Sequence, residues 1–158
     1  MCGRAGLTVP PEKVAGAVRS AGCDVPAKTC ATYRTSSAKK ADGDSFPCVV
    51  AAPGGLDLAT LDFGVKKLRC HNAFVEGWLD RKTWREAAAT PRGRCSMVVT
   101  SFVEGITARK PDDGVFFILG LRVGDEFVIL TTAAKNSALL GERARAKEGW
   151  GAGRCPIV

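Results

Sequence analysis

The sequence predicts an α+β fold, a β-rich antiparallel and barrel-like core with peripheral helices, on three observations. Apolar, β-branched stretches at 94–102, 115–123 and 127–132 are separated by Pro111-Asp112-Asp113-Gly114 and Gly124-Asp125, which reads as an antiparallel meander. Two more apolar stretches, 48–52 and 56–63, flank Pro53-Gly54-Gly55 and read as a hairpin. Strands and helices do not alternate regularly, which disfavours a parallel, doubly wound sheet.

Taken in order, Val14, Ala15, Val18 and Ala21 follow Pro10-Pro11 at helical spacing and stop at Gly22. They predict an amphipathic helix over 11–21, with proline in the first turn and Thr8 as cap. Residues 23–47 are irregular and hold a polar run over 36–45. After the hairpin, residues 66–76 mix charge and apolar side chains too densely for an ordinary turn. A second helix is expected over 79–89, ended by Thr90-Pro91. The meander follows, then a last helix over 137–148 with Ser137 as cap.

The chain has 158 residues, 46% hydrophobic and 25% charged, a composition that fits one domain spanning 1–158. No apolar run approaches the roughly 18 residues needed to span a bilayer, so no membrane association is expected. The start lacks a secretory pattern, and an intracellular location, in cytoplasm, nucleoid or nucleus, is expected. Seven cysteines form an odd set with no Cys-x-x-Cys pair, and His71 is the single histidine. These argue against zinc and a disulfide framework; no metal or cofactor is expected, and most thiols should be buried. Lysine and arginine outnumber aspartate and glutamate by 23 to 16, a net charge of +7 that suits a polyanionic partner such as nucleic acid or serves solubility alone.

One cysteine differs from the rest by position. Removal of Met1 would give Cys2 an α-amine and a thiol on one residue, with ordinary pKa values of about 7.7 and about 8.5. Near neutral pH each has a nucleophilic fraction, so the pair can convert an aldehyde first to a Schiff base and then to a thiazolidine ring. Two other clusters carry polar chemistry. His71-Asn72-Ala73-Phe74-Val75-Glu76 follows Lys66, Lys67 and Arg69, and its asparagine can donate to and accept from a sugar hydroxyl while the cations hold phosphates. The stretch from Arg92-Gly93-Arg94 runs through an apolar strand to a lone carboxylate, Glu104. A carboxylate there is either a solvated strand end or a proton donor and acceptor.

Together these pieces resemble the SRAP domain, the SOS response-associated peptidase family. The resemblance rests on Met1-Cys2-Gly3-Arg4, on Asn72-Ala73-x-Val75-Glu76, on Gly93-Arg94 and on Phe102-Val103-Glu104-Gly105. Tyr33-Arg34-Thr35, Phe63-Gly64 and the strand from Phe127 to Ala134 are similar to further family segments, in the family's order. The resemblance implies a Cys2 nucleophile that forms a thiazolidine with the aldehyde of an abasic site in single-stranded DNA. It implies that Asn72 contacts the opened sugar and that Glu104 moves protons both in Met1 removal, a self-processing peptidase step, and in the lyase-type ring chemistry. A glutamate serving both steps would need its pKa raised by partial burial. Arg4, Lys66, Lys67, Arg69, Phe74 and Arg94 are the expected DNA contacts. A monomer is expected, with the replication machinery a candidate partner.

The departures are as specific as the matches. Phe74 stands where the family has arginine, and an aromatic there suits base stacking. Ala152, ahead of Arg154 and Pro156, stands in the place of the family's histidine, and the chain is shorter than the family at its C-terminus. His71, beside Asn72, is given no catalytic role. The alternative is therefore an SRAP-like module that binds single-stranded DNA without covalent chemistry. A peptidase acting on other proteins is poorly equipped, because Cys2 lacks a dedicated histidine; the remaining reading is purely structural, with cysteines in the core and charge for solubility.

Overall fold

The strands expected from the apolar runs close on themselves. The structure, a computed structural model, describes residues 4–25, 38–39, 45–104, 106–109, 114–133 and 154–157. In chain order these form β1 (Arg4–Gly6), α1 (Pro11–Ser20), β2 (Ala38–Lys39), β3 (Ser45–Ala52), β4 (Gly55–Phe63) and β5 (Asn72–Phe74). Then come α2 (Lys82–Ala89), β6 (Arg94–Val99), β7 (Ser101–Glu104), β8 (Ile106–Arg109), β9 (Phe116–Val123), β10 (Glu126–Ala133) and β11 (Arg154–Pro156). The neighbours β4–β3, β3–β6, β6–β9 and β9–β10 are antiparallel. β10 also runs parallel to β4, with Glu126 opposite Asp62 and Phe127 opposite Phe63, and this completes a five-stranded ring. The fold is α+β with a β-rich core, as the sequence predicts.

Alternation along each strand divides the side chains between the inside and outside of that ring. Phe46, Cys48, Leu61, Phe63, Met97, Ile118, Phe127 and Ile129 fill the inside. Phe46, Phe63 and Phe127 meet edge to face, with ring centroids 5.4 to 6.4 Å apart, each pair contributing about 0.5–1.5 kcal/mol beyond its buried area. Outside, α1 buries Val14, Ala15 and Val18 against Val49, Leu58 and Val98. α2 buries Trp84 against Leu121, Val128 and Leu130 at a second site on the outer wall. No helix among the described residues is long and apolar enough to cross a membrane.

A second sheet, β2-β1-β7-β8, meets one end of the barrel. The stretch 94–102, expected as one strand, is divided at Thr100: β6 belongs to the barrel and β7 to the second sheet. Thr100 is buried, and its polar atoms are used at that corner. Its N–H and hydroxyl both donate to the Gly6 carbonyl, at 2.8 and 3.1 Å, and its oxygen accepts from the Thr8 N–H at 3.0 Å. Thr8 is thus occupied with Thr100 and does not cap α1, whose N-cap is Pro10. The other helix starts later than expected, at Lys82, because residues 78–80 form a separate 3-10 turn. β3 starts earlier, at Ser45; its Pro47 is tolerated where only β4 is alongside, since β6 joins β3 only from Cys48. The Tyr33-Arg34-Thr35 segment and the helix expected over 137–148 lie outside the described residues.

Cys23, Cys48 and Cys95 are buried free thiols and Cys70 is a half-buried one. Burial, then a hydrogen bond with Cys95, pushes the Cys48 thiol well above its ordinary value. Gly93, part of the Gly93-Arg94 step, has a purely steric duty: a Cβ there would collide with the carbonyl of Ala87 on α2. Gly93→Ala is expected to cost about 1–3 kcal/mol by forcing the helix off the wall, read as a lower denaturant midpoint at unchanged slope.

Candidate functional site at one end of the barrel

β1 is three residues long and is held by its partners rather than by its own propensity. It pairs with β7 through Arg4↔Val103, Ala5↔Phe102 and Gly6↔Ser101. Arg4 follows Cys2 by two residues in sequence, and Val103 is followed directly by Glu104. The backbone leading out of Cys2 therefore enters the sheet beside the strand that ends in Glu104. Cys2 itself, and Ala152, lie outside the described residues.

Asn72 is carried by β5, which takes over from β4 along the same side of β10. The ladder runs Phe63↔Phe127 on β4 and then Asn72↔Ile129, Ala73↔Leu130 and Phe74↔Thr131 on β5. Residues 64–71 leave the wall between them and return, closed by a Val65↔Cys70 bridge and by bonds from Gly64 N–H to Phe127 and from Ile129 N–H to His71. Gly64 is required here: its φ is +90°, and a Cβ would come within 2.7 Å of the His71 ring. His71 stacks at a tilt on Phe63, with centroids 5.3 Å apart. Cys70 donates its thiol hydrogen to the Asn72 carbonyl, 2.8 Å away, fixing the entry to β5.

Register links this strand to β1. Ile129 stands opposite Asn72 and belongs to the same interior cluster as Ala5, the residue after Arg4. Beyond Ile129, β10 is flanked by β5 on one side and β11 on the other, the latter through Thr131↔Pro156, Thr132↔Cys155 and Ala133↔Arg154. The antiparallel order also brings Phe116, Val99 and the Thr100 corner to this end. One end of the barrel thus carries β1, the Glu104 strand, the Asn72 strand and Arg154. Phe74 is 51% exposed there, enough surface for a planar ligand to cover. Glu76, which the sequence reading quoted in its motif but gave no role, accepts from the Thr132 hydroxyl at 3.0 Å. Its signal was a carboxylate four residues after Asn72.

The expected DNA contacts are not all equivalent. Lys67 and Arg69 are exposed on the 64–71 loop and make no ion pair among the described residues, Arg69 with a left-handed φ of 47°. Lys66 is already engaged: its ammonium lies 3.3 Å from Asp62 and 3.9 Å from Glu126, so it is a weaker phosphate ligand than sequence implies. Arg94 is ten residues before Glu104 along β6 and β7, on the order of 30 Å of extended strand. It alternates with inward-facing Cys95 onto the outer wall, where its Nε donates to the Ala88 carbonyl at 2.9 Å. The structure does not bring Arg94 to the end that carries Glu104.

The Ser45 hydroxyl, 2.7 Å away, and then the Lys66 ammonium hold the Asp62 carboxyl below its usual range. A depressed folded-state value stabilises the fold above the unfolded pKa of about 3.9, and that stability is lost as pH falls through the folded value. The group is exposed, so Asp62→Asn is expected to cost under about 1 kcal/mol at neutral pH. As the pH falls below the folded-state value, the melting temperatures of parent and variant should converge.

Among the described residues no group of three or more histidine, cysteine, aspartate or glutamate side chains is arranged to hold a metal ion. Compared with known proteins, the chain matches no protein-family model and no curated sequence at a significant level.

Proposed function

We propose that this chain binds single-stranded DNA and captures abasic sites through Cys2 after Met1 is removed. The observation that carries the reading is the β1–β7 ladder, in which Arg4, two residues after Cys2 in sequence, faces Val103, the residue before Glu104. The shared core layer of Ala5 and Ile129 adds support, because Ile129 is the ladder partner of Asn72. In the reaction the α-amine of Cys2 adds to the aldehyde of the ring-opened sugar and expels water. The thiol then adds to the imine carbon, and its proton goes to the nitrogen. One water is lost overall and no oxidant, metal or cofactor is consumed. Glu104 is the group assigned to those proton movements, and Asn72 the one assigned to the sugar hydroxyl.

DNA binding itself is assigned to exposed Lys67 and Arg69, to Arg4, and to Phe74 as a surface for a base. Three phosphate contacts to a single strand make affinity fall roughly twentyfold between about 50 and about 200 mM salt. Fluorescence anisotropy with an unmodified oligonucleotide measures this, and salt-independent binding, or none, contradicts the assignment. The exposed Phe74 in place of an arginine also favours a second reading, a single-strand-binding module without covalent chemistry. An adduct that survives denaturation separates the two.

A further inference from the structure

We propose that the groove on the outer wall of the barrel, between the end of α1 and the turns flanking α2, binds a single-chain amphiphile with an anionic head, of the fatty-acid class. The groove encloses about 550 Å³, within the range of about 300–1,000 Å³ typical of small-ligand sites. Its walls are apolar side chains, among them Val49, Leu56, Trp78, Leu119 and Leu130. Leu56 and Leu119 are 44% and 40% exposed, a large apolar surface to leave in water.

Charge sets the head group. Among the described residues, Arg94 is the only charged one in the lining. Its Nε is anchored on the Ala88 carbonyl, and among the described residues it makes no ion pair. That leaves the terminal nitrogens of an oriented guanidinium at the edge of an apolar cavity, the arrangement that takes one carboxylate in bidentate fashion. A nucleic-acid strand does not fit it, because apolar walls would strip water from several phosphates and return a single cation. The proposal is independent of the DNA reading, which rests on β1, β5 and β7.

The test is isothermal titration of the full chain with decanoate below its micelle concentration, with decanol and decyltrimethylammonium as comparisons. Saturable one-to-one binding is expected, tightest for decanoate and weakest for the ammonium. Arg94→Gln should weaken decanoate about tenfold more than it weakens decanol, the loss of one charge-assisted contact at an exposed edge. Leu119→Asp and, separately, Leu56→Asp should abolish binding of both; both positions are exposed, and circular dichroism verifies that each variant is folded. The proposal is overturned by absence of saturable decanoate binding, by equal affinity for the ammonium, or by folded Asp variants that bind like the parent. It is equally overturned if only anionic vesicles or an acidic amphipathic peptide bind.

Discussion

Cys2→Ser is expected to abolish the denaturant-resistant adduct with abasic single-stranded DNA while leaving salt-sensitive, non-covalent binding in place. Serine keeps the α-amine, so a Schiff base still forms, but a hydroxyl is a far poorer nucleophile than a thiol at neutral pH and the ring does not close. The Schiff base hydrolyses when the protein is unfolded. The effect should therefore be all or none on a denaturing gel run without reductant. Borohydride treatment should partly restore a cross-link by reducing the imine. A Cys2→Ser protein that cross-links as well as the parent without reductant would mean that the ring is not the product.

Glu104→Gln is expected to slow adduct formation by about 10²–10⁴-fold, the usual contribution of one positioned acid–base group. Glutamine is close in shape, and β7 is held at Glu104 by its pairing with Ile106 on β8, so the fold should survive. Two readouts distinguish a proton-transfer role from a structural one. The variant should retain Met1 in intact mass spectra, and the pH profile of adduct formation should lose the limb assigned to the carboxyl. Release of a preformed adduct is expected to be slower than its formation. A Glu104→Gln protein with parental rate and pH profile would remove Glu104 from the mechanism.

The parts of the fold legible in the sequence are those whose pairing is local. The β3–β4 hairpin is marked by Pro53-Gly54-Gly55, and the β9–β10 hairpin by Gly124-Asp125, where Gly124 has a φ of +65°. What was not legible depends on partners far along the chain. β1 and β5 are three residues each, too short for any period to show, and become strands only against β7 and β10. The parallel contact of β10 with β4, which closes the barrel, joins residues more than sixty positions apart. The break at Thr100 comes inside a run of apolar and β-branched residues, and only its bonds to Gly6 and Thr8 explain why the strand changes sheet there.

The candidate site divides in the same way. Cys2, Asn72 and Glu104 were legible as chemistry, because an aminothiol, an amide and a lone carboxylate are each suited to aldehyde capture. What the sequence does not show is that Ala5, the residue after Arg4, and Ile129, the ladder partner of Asn72, share one interior cluster. The cations differ in their surroundings. Lys66 is held by Glu126 sixty residues later, and Arg94 faces an outer groove built from separate parts of the chain. Charge clusters in sequence report proximity along the chain, whereas the sheet register decides which of them share a surface.

The central claim, capture of an abasic site by the amine and thiol of Cys2, is tested most directly by intact mass of the denatured protein after incubation with a single-stranded oligonucleotide carrying one abasic site. The account predicts a species lacking Met1 whose mass is that of protein plus oligonucleotide less one water, stable without reductant. Retention of Met1, or recovery of the two components unjoined, would contradict it.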